Sequence, residues 1–368
     1  SVCGARLNDE QRTADVWQRV LALAPDHRKA FSELRKHSLA QKDWNRLEWL
    51  FRNHGSVSDL TRTLESQAKS LDADEMVPLL RKVASLWLEQ DNTKKAVAAL
   101  ERILGIEPED AEAAAELIPI YEMLSAWEKL SDMYDVVLNA TDDVDDRRVF
   151  LMAKAMLNEE HLGDLDAAFF CYVEAYKEAP RADASVREEL DRLAELSENW
   201  EIYASVLEDV LHTLDSEQQI DALLRIAEVH FSELDSPESA LRHYHQVLEV
   251  LDPDNAVAVA AVEKIYRATE QWNELIDILH RKLHGGTLND HDEKALRFEI
   301  GAVWRDQLQE AEAAMAVYRE MMERFPDDVR IYDELANLHL QAEAWVELSS
   351  VLSRKLRTLA DRADAEPK

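Results

Sequence analysis

Residues 96–127 read AVAALERILGIEPEDAEAAAELIPIYEMLSAW, and two landmarks in this stretch decide the fold. Pro108 stands 19 residues before Trp127. The same interval separates Pro25 from Trp44, Pro253 from Trp272 and Pro326 from Trp345, and Pro180 precedes Trp200 by 20. The last four tryptophans follow one another at 73, 72 and 73 residues. A fixed period means that one supersecondary unit has been copied and stacked. From Pro25 to Trp345 the pattern spans 321 of 368 residues.

The residues before each proline share one helical face. Ala96, Leu100 and Ile103 precede Pro108; Ala168, Tyr172 and Ala175 precede Pro180; Ala314, Tyr318 and Met321 precede Pro326. Offsets of four and three keep such side chains on one side of a helix. Ala240, Tyr244 and Val247 repeat the set before Pro253 with one extra residue, and Thr13, Trp17 and Val20 take the same places before Pro25. The alanine lets a neighbouring helix approach closely. The proline ends one helix and suits the first turn of the next.

Twelve or thirteen residues upstream of those alanines stands a second small residue: Ala84, Ala155, Ala227 and Gly301. A bulky residue follows three positions later at Trp87, His230 and Trp304, and Asn158 departs from that rule. Two helices with facing small residues make a tight antiparallel hairpin. Here the chain resembles the tetratricopeptide repeat family, whose second helix carries a small residue, an aromatic, a small residue and a proline at this spacing. A second hairpin type alternates with it, its second helix reading Trp127, Leu130, Tyr134; Trp200, Tyr203, Leu207; Trp272, Leu275, Leu279; and Trp345, Leu348, Leu352. The resemblance implies an all-α, right-handed solenoid of about ten helical hairpins, forming a single array over residues 1–360 that begins in mid-hairpin.

Three places break the regularity. Trp44 to Trp127 is 83 residues, about ten too many, so either a helix is inserted near 57–71 or Trp44 belongs to a different helix of the unit. Pro119 is expected to kink or break its helix. Residues 361–368 read as a disordered polar tail.

Composition narrows the function. Ala, Leu and Glu are abundant and there are only seven glycines and nine prolines, against a turn-rich β protein. Two cysteines, Cys3 and Cys171, sit in different repeats and form no framework, which favours a reducing, cytoplasmic setting; a periplasmic one stays open. No apolar run approaches the roughly 18–20 residues that span a bilayer. The net charge of −33 argues against nucleic acid and against anionic membranes. Residues 178–263 hold 21 carboxylates, five arginines and no lysine. That stretch reads either as a solvated, solubilising surface or as a dock for a basic partner.

Chemical motifs are sparse, and no catalytic, cofactor or metal residue is expected. His280 and His284 share a helical face, but Arg281 stands where a zinc-protease motif has glutamate. With Asp290, His291 and Asp292 they read as a polar helix end. His243 and His245, two apart, point to different faces. Asp142, Asp143, Asp145 and Asp146 lack the glycine and final glutamate of a calcium loop and read as a helix start. Gly285 and Gly286 read as a helix stop. The nine tryptophans read as packing residues.

Some tetratricopeptide arrays clamp a C-terminal carboxylate with lysine and asparagine on their first helices. The matching positions here hold Arg81 and Ser85, Leu224 and Glu228, and Phe298 and Ala302, so that clamp is absent. The resemblance implies a protein-interaction scaffold with Arg81, Glu89, Glu228, Phe231 and Arg305 on the groove, and the acidic stretch adds Glu188, Glu189 and Asp191 as candidate contacts for a basic partner. The alternative is a regulatory or docking part of a larger enzyme or RNA-processing assembly.

Overall fold

The computed structural model describes residues 10–181, 184–285 and 288–365. Twenty α-helices and no strand occur among them. They fall into two compact units, the first closing at Ser197 and the second opening at Glu198.

In the first unit, α1 (Glu10–Leu23), α2 (Arg28–Ala40), α3 (Trp44–His54) and α4 (Val57–Ala68) lead into two tetratricopeptide-type hairpins. These pair α5 (Ala73–Leu88) with α6 (Thr93–Leu104), and α9 (Val144–Leu157) with α10 (Leu165–Glu178). Between them α7 (Ala111–Met123) pairs with α8 (Trp127–Ala140), and α11 (Ala184–Ser197) packs on α10. The second unit starts at α12 (Trp200–Val210). It pairs α13 (Ser216–Ser232) with α14 (Pro237–Gln246), and α15 (Ala256–Ala268) with α16 (Trp272–Gly285). Last come α17 (Asp290–Ala302) with α18 (Ala311–Arg324), and α19 (Val329–Gln341) with α20 (Trp345–Ala365).

The small residues do what their spacing predicts. Ala84, Ala96, Ala155, Ala168, Ala227, Ala240 and Ala314 are wholly buried, and Gly301 is buried with them. At Gly301 the fit is closest: a Cβ there would lie 2.5 Å from Cζ of Tyr318. The aromatic of the second helix thus occupies the volume that glycine leaves open on the first.

The turns inside the hairpins follow a rule that glycine content hides. Lys42, Ser125, Glu198, Glu270 and Glu343, each two residues before a tryptophan of the repeat, have φ between 54° and 57°. Asp91, Asp235 and Gln309, each five residues before the small residue of the second helix, are also left-handed, as is Gly163 in the same place. Such a residue ends a helix by turning the chain so that a later N–H caps an open carbonyl. The cap is present: the amides of Asp43, Asn92, Ala126, Gln271 and Ala344 each donate at 2.9 Å to the carbonyl five residues back. Side-chain caps then open the helices. Asp43, Asp72, Asp110, Asp143, Asp164, Asp215 and Asp328 each accept from a backbone amide of the first turn, as do Asn92, Asn255 and Asn289. Part of the chain's acidity is therefore helix capping, each cap contributing about 1 kcal/mol.

Several sequence expectations resolve here. Trp44 opens α3, and α4 is the inserted helix, 12 residues long. In α1 the fully buried residues are Ala14 and Leu21, so Thr13, Trp17 and Val20 border the face rather than form it. Helix α7 is continuous through Pro119, because that residue and Ala115, whose carbonyl it leaves unpaired, both face solvent. Helix α20 runs to Ala365, past the expected end at 360; residues 366–368 lie outside the described residues. Asp143 caps α9, as the acidic cluster implies. Helix α16 ends at Gly285, and Gly286 lies outside the described residues, as does Cys3. The tryptophans that open α3, α8, α12 and α16 are half-buried and cover the core from its rim; Leu275, Ile276 and Leu279 fill it. Trp345 is 61% exposed.

Candidate functional site

The cationic groove candidates are engaged within the chain. Arg81 reaches Asp110 at 2.7 Å and Glu112 at 2.6 Å. Arg52 holds Glu89 at 2.8 Å, and Arg305 is held by Asp306 and Glu334. Arg225 reaches Glu228 at 2.8 Å, and Lys264 lies 5.3 Å from the centre of the Phe231 ring. On α11, Glu188 is exposed, while Glu189 and Glu159 both hold Arg192 at 2.7 Å. Asp191 is half-buried. Arg81, Glu89, Glu188, Glu189 and Asp191 belong to the first unit; Glu228, Phe231 and Arg305 belong to the second.

These pairings leave an excess of carboxylate at the surface. Within the second unit, residues 198–263 contain 15 carboxylates, two arginines and no lysine. Thirteen of the 15 are exposed. Glu263 is one of the others, sandwiched between Lys282 at 2.6 Å and Arg267 at 2.9 Å. Burial alone would raise its pKa, yet the two cations hold it below the ordinary glutamate value.

A tighter cluster lies inside the same stretch. His230 on α13 and His243 on α14 stack with parallel rings, 5.5 Å between centres and 8° between planes. Glu208 on α12 brings Oε1 to 3.1 Å from Nε2 of His243 and 3.9 Å from Nε2 of His230. His243 is 6% exposed, and neither of its ring nitrogens has a hydrogen-bond partner. Nδ1 of His230 is also buried without one. Burial pushes the His243 pKa below its ordinary value against the pull of Glu208, so the ring is neutral at pH 7.

The repeat explains how these rings meet. His230 and His243 each stand three residues after the small residue of their helix, and the corresponding pairs are Trp87 with Ala99, Asn158 with Cys171, and Trp304 with Val317. The position facing them from the preceding tryptophan helix is Glu208, eight residues after Trp200; its counterpart after Trp127 is Asp135. In that earlier hairpin Asp135 pairs with Lys154, and Asn158 points Nδ2 at Sγ of Cys171, 3.8 Å away. The three positions border a cavity of about 600 Å³. Burial raises the Cys171 pKa to about 11, which leaves an inert thiol.

The histidine pairs singled out in sequence behave differently. His245 turns away from His243 and bonds the Tyr266 hydroxyl at 2.7 Å. His280 and His284 have ring centres 6.3 Å apart, and Nδ1 of His284 bonds the His280 carbonyl at 2.7 Å. Among the described residues, Glu208, His230 and His243 form the one group of three or more potential ligands whose donor atoms lie within 4.8 Å of one another. Sequence reasoning missed it because the members sit on three helices, 22 and 13 residues apart. Aligning the positions three residues after each small residue would have found the His–His pair.

No helix among the described residues is long and apolar enough to cross a membrane. No protein-family model matches the chain, and no curated protein matches it in sequence. Solved structures similar to it include a tetratricopeptide repeat protein from Parabacteroides merdae, 14% identical with a TM-score of 0.31, covering 70% of this chain and 98% of that one. Yeast Tom70 is 11% identical with a TM-score of 0.27 over 78% of this chain and 77% of its own. MamA is 16% identical with a TM-score of 0.27, over 61% and 98% respectively. Scores of this size carry no argument about function, and the fold assignment rests on the hairpins themselves. Paired helices, facing small residues and an aromatic fitted between them build each unit as a stack of antiparallel helical hairpins, the all-α solenoid type of fold that the spacing predicts.

Proposed function

We propose that the chain is a non-catalytic scaffold that binds a basic protein surface or segment through the acidic part of its second unit. The observation that carries this reading is the exposure of 13 of 15 carboxylates over residues 198–263, with two arginines and no lysine to neutralise them. Exposed charge of one sign steers an opposite partner and speeds its encounter. The same charge disfavours direct contact with nucleic acid. A cytoplasmic setting belongs to this reading and draws support from the unpaired thiol of Cys171.

The test is cross-linking of the native complex after purification with nuclease. Cross-links to α12, α13 and α14 from a partner segment rich in lysine and arginine support the proposal. Cross-links confined to α1, α2 and α20, or a partner lost on nuclease treatment, overturn it.

A further inference from the structure

We propose that Glu208, His230 and His243 form a binding site for one divalent transition-metal ion, with zinc the best match. Two imidazoles and a carboxylate are a set that zinc accepts, with the remaining position left to water. At zinc–ligand distances of about 2.0–2.1 Å, tetrahedral donors lie about 3.3 Å apart. Oε1 of Glu208 stands 3.1 and 3.9 Å from the two Nε2 atoms, which brackets that value.

Geometry then separates a metal site from a polar contact. Nε2 of His243 lies 3.1 Å from Oε1 of Glu208 and feels its pull, but the two are not aligned for a full hydrogen bond. One ligand atom from each of the three residues lies within 4.8 Å of the other two, close enough to share one ion. A ring buried this deeply, with Nδ1 unpartnered and Nε2 only poorly aligned on Glu208, is costly unless something else satisfies it, and a metal ion does so.

The repeat offers an internal control. In the hairpin α9·α10 the equivalent carboxylate, Asp135, is neutralised by Lys154. The residue that corresponds to Lys154 in α13 is Ile226, which is wholly buried. Among the described residues no lysine or arginine lies within 4 Å of Glu208, which faces only the two histidines as ionic partners. In α5·α6 and α17·α18 the facing pair is an indole against a small aliphatic side chain. Among these hairpins of the described residues, α13·α14 alone combines two imidazoles with a carboxylate that has no lysine or arginine partner. Glu208 is 43% exposed at its side chain, which gives an ion a way in.

The experiment uses the full chain, free of any polyhistidine tag and stripped with chelator. It is titrated with Zn²⁺ by calorimetry and with Co²⁺ by visible absorption. One equivalent per chain is expected, with micromolar or tighter affinity and a tetrahedral Co²⁺ spectrum. His243→Ala should abolish binding while the circular dichroism stays helical. Glu208→Gln lies at the surface and leaves the hairpin intact, so it tests the site if His243→Ala fails to fold; it should weaken binding by about tenfold or more. The double variant His280→Ala, His284→Ala should bind as the parent does. Absence of stoichiometric binding, unchanged binding in Glu208→Gln, or loss of binding in the His280/His284 double variant overturns the proposal.

Discussion

The hairpins α13·α14 and α17·α18 lie in the same unit and share a backbone plan, yet their interiors differ at one facing pair. Both join a small residue to a small residue: Ala227 with Ala240, and Gly301 with Ala314. Both turn through a left-handed residue, Asp235 in one and Gln309 in the other. Three positions past the small residues, α17·α18 places Trp304 and Val317, which pack on the apolar core. At the same positions α13·α14 places two histidines beneath a glutamate. The repeat frame fixes which positions meet, while residue identity there decides whether the meeting place is dry or chemically equipped.

The sharpest way to break this comparison is to remove the feature that α17·α18 alone possesses. Gly301→Val pushes side-chain atoms into the Tyr318 ring, where even a Cβ would stand 2.5 Å away. It should cost about 3 kcal/mol in denaturant unfolding. A neutral result would mean that the aromatic does not fill the glycine's space. Trp272→Ala should cost about 2 kcal/mol, below the range for a fully buried tryptophan because the ring is half-buried. Trp345→Ala, with the ring 61% exposed, should cost under about 0.5 kcal/mol. Equal losses at the two sites would contradict the rim position of these rings.

The two hairpins can also be made alike. His230→Trp with His243→Val gives α13·α14 the pair found in α17·α18. In metal-free buffer it should gain about 1 kcal/mol, because unpaired buried nitrogens are replaced by packing atoms. Destabilisation would show that the histidines are already satisfied. The smallest effect concerns the turn that the hairpins share. Asp235→Gly and Gln309→Gly should each stabilise by about 0.5 kcal/mol, since glycine adopts a left-handed φ without a Cβ penalty. A gain in one hairpin and a loss in the other would mean that the turns are not equivalent.

Much of this architecture is legible in the sequence, for a physical reason. A solenoid buries the same positions again and again, so Ala84, Ala155, Ala227 and Gly301 announce themselves by spacing. The left-handed turns stay hidden because six of the nine among the described residues carry Lys, Ser, Glu or Gln, which have no preference for that conformation, while Asp91, Asp235 and Gly163 suit it better. The register of α1 is missed by one residue, since Thr13 and Ala14 are both small enough for the position. The candidate contacts Arg81, Glu89 and Arg305 read as groove residues in sequence, while the fold binds each to a neighbouring helix. The histidine cluster is invisible to a search for ligands within one helix, because its members converge only after three helices pack.

The central claim is that the exposed carboxylates of residues 198–263 serve recognition. Its most direct test is the association rate constant of the full chain with the partner that co-purifies, measured against ionic strength. The account predicts a rate that falls steeply as salt rises past the point where the Debye length is about 10 Å, near 0.1 M. It also predicts that Glu233→Lys with Glu238→Lys slows association more than it speeds dissociation. An association rate that is indifferent both to salt and to that reversal would contradict the account and leave the acidity of this stretch with a solubilising role alone.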